Sequence, residues 1–206
     1  MISTIQSIIT FDLETSGLKP DKNCILEIAC SAMDQDLNDI GDFESGILKQ
    51  YGDREITQGA LQANGITMDQ IESGIDGSKA LHNLIVYFKS MQQGRNKPIL
   101  AGHNIKKFDI PFLSDFFQFY RDDLAKYVNL DFEIDTMWWA RLKYKESQNY
   151  KLGTCCEMEG IELVDAHRAL NDTLSNKNLV REYLRSLKSG SKAAAEEEYK
   201  RPVFEF

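Results

Sequence analysis

IQSIITFDLETSGL, residues 5–18, begins as a β-branched, apolar run and ends on two acids and a turn. Residues 5–13 have the composition of a central strand. Asp12 and Glu14 stand two residues apart, so on a strand both side chains leave the same face. An unpaired buried charge is expensive, and adjacent carboxylates repel unless one takes a proton or a cation lies between them. Oxygen-only ligands suit Mg²⁺ or Mn²⁺ rather than zinc. A solvated strand edge is the plain alternative for the same pair.

Outward from this stretch, residues 21–23 form a turn, and residues 25–33 (ILEIACSAM) and 43–49 (FESGILK) read as two further strands. Their closeness in sequence favours antiparallel hairpins. Thr57 and Thr67 have the character of N-caps for short helices on either side of Gly65. Ala80, Leu81, Leu84, Ile85, Phe88 and Met91 recur at helical spacing behind a cap expected at Ser78. Residues 98–102 (PILAG) form a short buried strand, and 109–120 a helix with Pro111 in its first turn. A strand near 132–134 leads to a helix over 136–142, and the last long helix runs over about 169–186. Three strands followed by alternating helices and strands predict one α/β domain, residues 1–187, built on a mixed sheet flanked by helices. Residues 188–200 read as a flexible linker or frayed helix, since SGSKAAAEEE (189–198) is small and polar without a core-facing stripe.

Composition narrows the class. Of 206 residues, 42% are hydrophobic, enough for a real core. No apolar run approaches about 18 residues, and the first residues lack the basic region of a signal peptide. The cysteines Cys24, Cys30, Cys155 and Cys156 form no CxxC pair. Free thiols in a reducing cytoplasm are expected, and a zinc site is not. The net charge of −8 opposes broad non-specific nucleic-acid binding. It leaves room for a nucleic-acid enzyme whose acids surround cations. Residues 187–206 balance in charge, so the acidity belongs to the main domain.

Two further segments carry acids in suggestive places. In LAGHNIKKFDIPFL, Asp109 opens a helix directly after a strand, where the helix N-terminus favours the ionised form; a simple cap is the alternative. In AHRALNDT, His167 precedes a helix and Asp172 lies in its first turns. Both can approach one point if His167 comes from the preceding loop. Surface positions at a helix start are the alternative.

FDLETSGL, GHNIKKFD and HRALNDT, in that order, resemble the three motifs of the DEDDh family of 3′→5′ exonucleases, which includes RNase T-like enzymes and the proofreading subunits of bacterial replicases. ANGIT (63–67), IDTMWWAR (134–141) and YKLGTCCEMEGI (150–161) are secondary echoes. Thr173 stands where the family usually has alanine. The resemblance implies a ribonuclease H-like fold. It implies that Asp12, Glu14, Asp109 and Asp172 bind two divalent cations, Mg²⁺ or Mn²⁺, with His167 as general base. Thr15, Ser16, Gly17 and Leu18 then correspond to the 3′-terminal nucleotide pocket, Leu18 as a wedge against a base, with Ile66 and Asn104 beside it; turn and core packing is the alternative. His103 matches no catalytic position and reads as structural.

Trp138, Trp139, Arg141, Lys143, Tyr144, Lys145, Tyr150 and Lys151 interleave rings with basic groups. Such mixtures stack bases and track phosphates, but core tryptophans beside a solvated basic face give the same pattern. Residues 201–206 (RPVFEF) are apolar and weakly resemble the tails that replication proteins insert into a sliding clamp. They are read as a polymerase- or clamp-binding tail, with docking on the chain's own domain as the alternative. The expectation is thus a cytoplasmic, metal-dependent exonuclease. It would act on single-stranded or frayed DNA 3′ ends, releasing nucleoside monophosphates in proofreading or repair. RNA 3′-end trimming stays open, because 2′-OH discrimination is a matter of pocket geometry. A catalytically silent polymerase-binding module is the rival from another class; the intact acid set and His167 argue against it.

Overall fold

Alternation along β1 (Ile8–Thr15) sorts the two faces of the sheet. Ile9, Phe11 and Leu13 enter the main core with Leu84 and Phe88 of α3 (Gly77–Met91) and Phe112, Phe116 and Phe117 of α4 (Asp109–Phe119). Ile8, on the other face, packs with Val180 of α7 (Ala169–Glu196). Asp12 and Glu14 belong to this second face by the period of two. The computed structural model describes residues 6–162 and 168–196, and side chains up to residue 188.

Five strands lie in the order β3-β2-β1-β4-β5, where β2 is Ile25–Met33, β3 Asp39–Glu44, β4 Ile99–Gly102 and β5 Asn129–Asp135. β1–β2 and β2–β3 are antiparallel; β1–β4 and β4–β5 are parallel. This is the mixed, helix-flanked sheet of the ribonuclease H-like expectation. All nine residues of β2 are buried because helices cover both of its faces. Thr57 caps α1 (Gln58–Asn64) and Thr67 caps α2 (Met68–Glu72) in a capping box with Gln70. The four cysteines are free and buried. Among the described residues no helix is long and apolar enough to cross a membrane.

Several boundaries differ from the sequence reading. β3 spans Asp39–Glu44, not 43–49. It is an exposed edge strand whose acids bind α7: Asp39 meets Lys177 at 2.9 Å and Arg181 at 2.6 Å. Polar anchoring of this kind leaves no apolar alternation to read. Gly46, at φ +69°, then turns the chain, although the Leu48 N–H still donates to Leu26 O at 2.8 Å. The α3 cap is Asp76, accepting from the Ser78 N–H at 2.8 Å, rather than Ser78 itself. The structure adds α6 (Leu152–Met158), a short helix without a side-chain cap that buries Cys155 and Cys156 against Leu179 and Tyr183. α5 (Thr136–Lys143) falls where expected. α7 continues as helical backbone through Glu196, past the expected end near 186 and into the stretch read as linker. Its alanines and glutamate are strong helix formers. The tail, 201–206, lies outside the described residues.

Candidate active site

β1 and β4 pair only from Ile8/Ile99 to Thr10/Ala101, and then diverge. Gly102 follows the last pair, where β1 and the next turn both press close to the backbone. A Cβ there would lie 2.0 Å from Ile105 Cγ2 and 3.1 Å from the Phe11 carbonyl oxygen. The chain turns through residues 103–108 and re-enters the gap as α4, whose first residue is Asp109. Phe108 precedes it without a side-chain cap bond, so Asp109 is not the cap that the sequence also allowed. Its buried carboxylate accepts from its own N–H and from the Leu13 N–H of β1, an amide beyond the last β1–β4 pair. Burial nevertheless pushes its pKa up to about 8, with Asp135 and Glu14 adding to the rise and the two N–H groups opposing it.

Asp12, Glu14 and Asp172 converge. Each offers a carboxylate oxygen, and these atoms lie within 4.8 Å of one another. β1 supplies two of them through its period of two; the first turns of α7 supply the third. The Asp12 carboxyl is pushed well above the usual range by burial, then by Asp109, Asp172, Glu14 and Glu27. Glu14 is raised to about 7 by burial, Asp172 and Glu27, against the pull of Arg168. Asp109 stands outside the close group of three, but it is the largest charge acting on Asp12. An all-oxygen donor set whose members resist ionisation in one another's presence fits a hard divalent cation, which removes the repulsion.

A fifth carboxylate was not singled out in the sequence. Glu27 pairs directly across from Glu14 in the β1–β2 register and is 1% exposed. It accepts from Arg168 at 3.1 Å and from the Ala169 N–H at 3.4 Å, tying β2 to the first residues of α7. One acid within the apolar run ILEIACSAM was the signal available. His167 lies outside the described residues; its neighbour Arg168 is the residue that Glu27 holds.

The residues expected to hold substrate divide. Gly17 and Leu18 line a groove of about 510 Å³ with Lys19, Lys22, Glu55 and Thr57. Leu18 projects into water, 81% exposed. Thr15 is buried and its hydroxyl donates to Gly17 O at 2.7 Å, fixing the turn. Ser16 is fully buried; its hydroxyl donates to Glu55 O at 2.6 Å and accepts from the Cys24 N–H at 2.8 Å. Ile66 packs into the main core. Asn104, at φ +64°, lines a different groove beyond β4. His103 is structural: Nε2 lies 2.7 Å from the Tyr150 carbonyl oxygen, and so carries the proton, while Nδ1 faces the Thr136 hydroxyl at 3.0 Å. Burial lowers its pKa and keeps it neutral.

The sheet order, and acids gathered where β1 and β4 part, define a hydrolase of the ribonuclease H-like class. The model of the RNase_T family, described as exonuclease, matches residues 9–180. The chain belongs to this exonuclease family, as a DnaQ-like 3′→5′ exonuclease of the DEDDh type. It is 32% identical over 164 residues to the PolC-type DNA polymerase III of Lacticaseibacillus paracasei, covering 80% of this chain and 10% of that protein. It is 27% identical over 180 residues to that of Bacillus subtilis, covering 87% and 12%. The chain therefore spans about a tenth of the length of these curated relatives. A crystal structure of E. coli Exonuclease I in complex with a dT13 oligonucleotide shares the fold, with TM-score 0.73 at 20% identity over 92% of this chain and 43% of that one.

Proposed function

We propose that the chain is a metal-dependent exonuclease that removes nucleoside monophosphates from the 3′ ends of single-stranded or frayed DNA. The observation that carries the reading is the convergence of Asp12, Glu14 and Asp172, with buried Asp109 beside Asp12. These four would hold two divalent cations, Mg²⁺ or Mn²⁺. Such ions stabilise charge on the attacking and leaving oxygens of a phosphoryl transfer.

The remaining work falls to the chain. His167 takes a proton from the attacking water; an imidazole of ordinary pKa, about 6.5, is neutral at pH 7 and suited to this. The water oxygen bonds to phosphorus, the bond from phosphorus to the 3′-oxygen of the preceding nucleotide breaks, and that oxygen acquires a proton. Leu18 and Gly17 receive the terminal nucleotide. Glu27, through Arg168 and Ala169, fixes the start of the helix that presents Asp172.

DNA is favoured over RNA because the curated relatives are DNA polymerases by name. The same likeness supports a role in proofreading or repair, and the proposal sets it in the cytoplasm with residues 201–206 as a docking tail for a polymerase or clamp. Matched 5′-labelled DNA and RNA oligomers, incubated with Mg²⁺ or Mn²⁺ beside an Asp12→Ala control, test the reading. A 3′-shortening ladder on DNA, absent in the control, is expected. A ladder on RNA alone would transfer the proposal to RNA trimming, and no ladder on either would return it to a silent binding module.

A further inference from the structure

The basic and aromatic strip of the sequence separates into two parts. Trp139 turns inward and packs at a tilt against Tyr183, ring centres 5.9 Å apart. Lys143 pairs with Glu159 at 2.5 Å, and the Tyr144 hydroxyl donates to the same carboxylate. That part is structural.

Trp138, Arg141 and Lys151 are exposed, and Tyr150 is half-buried, its ring packed on the cluster of Cys155 and Cys156 and its hydroxyl donating to Tyr144 O at 2.7 Å. Arg141 lies 5.6 Å from the Trp138 ring centre and 5.4 Å from that of Tyr150. Rings hold this guanidinium, and no carboxylate salt bridge to it occurs among the described residues. A cation oriented by π faces keeps its N–H edge available to an incoming anion. Arg141, Tyr150 and Lys151 line an open groove of about 440 Å³ with His103, Asn104 and Met137. Trp138, 52% exposed, does not line the groove but lies against its Arg141.

β1, β4 and β5 run parallel. Asp12 and Glu14 lie toward the end of β1, and His103 and Asn104 directly follow the end of β4, where the Asn104 N–H donates to Asp135, the last residue of β5, at 3.0 Å. The groove and the carboxylates therefore lie at the same end of the sheet. The Leu18 groove lies beyond the end of β1, and this one beyond the ends of β4 and β5. In a chain of net charge −8, an arginine held against two rings with a lysine in the same groove matches a strand with phosphates and bases.

We propose that this groove binds the single strand 5′ of the scissile phosphate, with Arg141 and Lys151 on successive phosphates and Trp138 or Tyr150 against a base. The proposal rests on the exonuclease reading above and adds a second contact region for the same strand.

Affinity for a 5′-labelled oligothymidylate, measured by fluorescence anisotropy with Ca²⁺ in place of Mg²⁺, tests it without turnover. Arg141→Ala with Lys151→Ala is expected to weaken binding about tenfold and to flatten the plot of log affinity against log salt by about 1.4, the amount for two lost phosphate contacts. Arg141→Lys, retaining charge but not the planar stack, should restore most of the salt slope and less of the affinity. Turnover of the oligomer is compared with that of the p-nitrophenyl ester of thymidine 5′-monophosphate, which has no upstream strand. The double variant's preference for the oligomer should fall about tenfold. Equal losses on both substrates, unchanged affinity and slope, or a wild-type protein that does not bind the oligomer, would overturn the groove. Failure of the exonuclease reading would show separately, as no hydrolysis of either substrate by the wild type.

Discussion

Asn at position 12 would keep the shape of the side chain and remove one charge from a crowded group. Asp12 ionises against burial and four neighbouring carboxylates, Asp109, Asp172, Glu14 and Glu27. Asp12→Asn should therefore raise the melting temperature of the metal-free protein and abolish the further rise that Mn²⁺ gives the wild type. Thermal melts with chelator and with Mn²⁺ read both signs; a lower melting temperature in chelator would contradict the electrostatic account. His167→Ala should act differently. Calorimetric Mn²⁺ binding should persist while kcat falls roughly 100-fold or more, as for loss of a general base. Unchanged turnover would remove His167 from the mechanism. At this scale the order of the motifs grouped Asp12, Glu14, Asp109 and Asp172, and the structure brings Asp12, Glu14 and Asp172 together, with Asp109 acting on Asp12 from beside them. It was silent on Glu27, whose role depends on a cross-strand register and on a helix start more than a hundred residues away.

α7 is the element on which the site depends, and Glu27 is its anchor. Glu27→Gln should lose the charged bond to Arg168 and loosen the first turn of α7, where an acceptor also satisfies the Ala169 N–H. Amide exchange at residues 169–172 should accelerate more than in the rest of the helix. Equal acceleration throughout α7 would mean general destabilisation instead. The elements legible from sequence were those carrying their own signal. β2 is a largely apolar run interrupted by Glu27 and Ser31, α3 has helical periodicity, and α1 and α2 start on threonine caps. β3 and α6 were obscure for opposite reasons. β3 is held by side-chain charges on its exposed face, and α6 is too short for a period to register.

For the molecule as a whole, the raised carboxyls set how stability depends on pH. Glu14 moves from 4.5 to about 7 and Asp109 from 3.8 to about 8 on folding. Below about pH 4 both are neutral in folded and unfolded chains, and their contribution to stability is fully present. As the pH rises through 7 and 8 they ionise within the fold, and that contribution is lost. In chelator the protein should melt at a lower temperature at pH 8.5 than at pH 5.5, and Mg²⁺ should recover more stability at the higher pH; a flat profile in chelator would refute the linkage. Assembly of the site also has an order along the chain. Asp12 and Glu14 lie on the first strand of the sheet, whereas Asp172 lies on a helix that follows every described strand. α7 packs across β1 and β2, and only that packing brings Asp172 to the two acids of β1. Under the proposed reading, a chain cut short before α7 should therefore lose both Mn²⁺ binding and hydrolysis even where the sheet still forms.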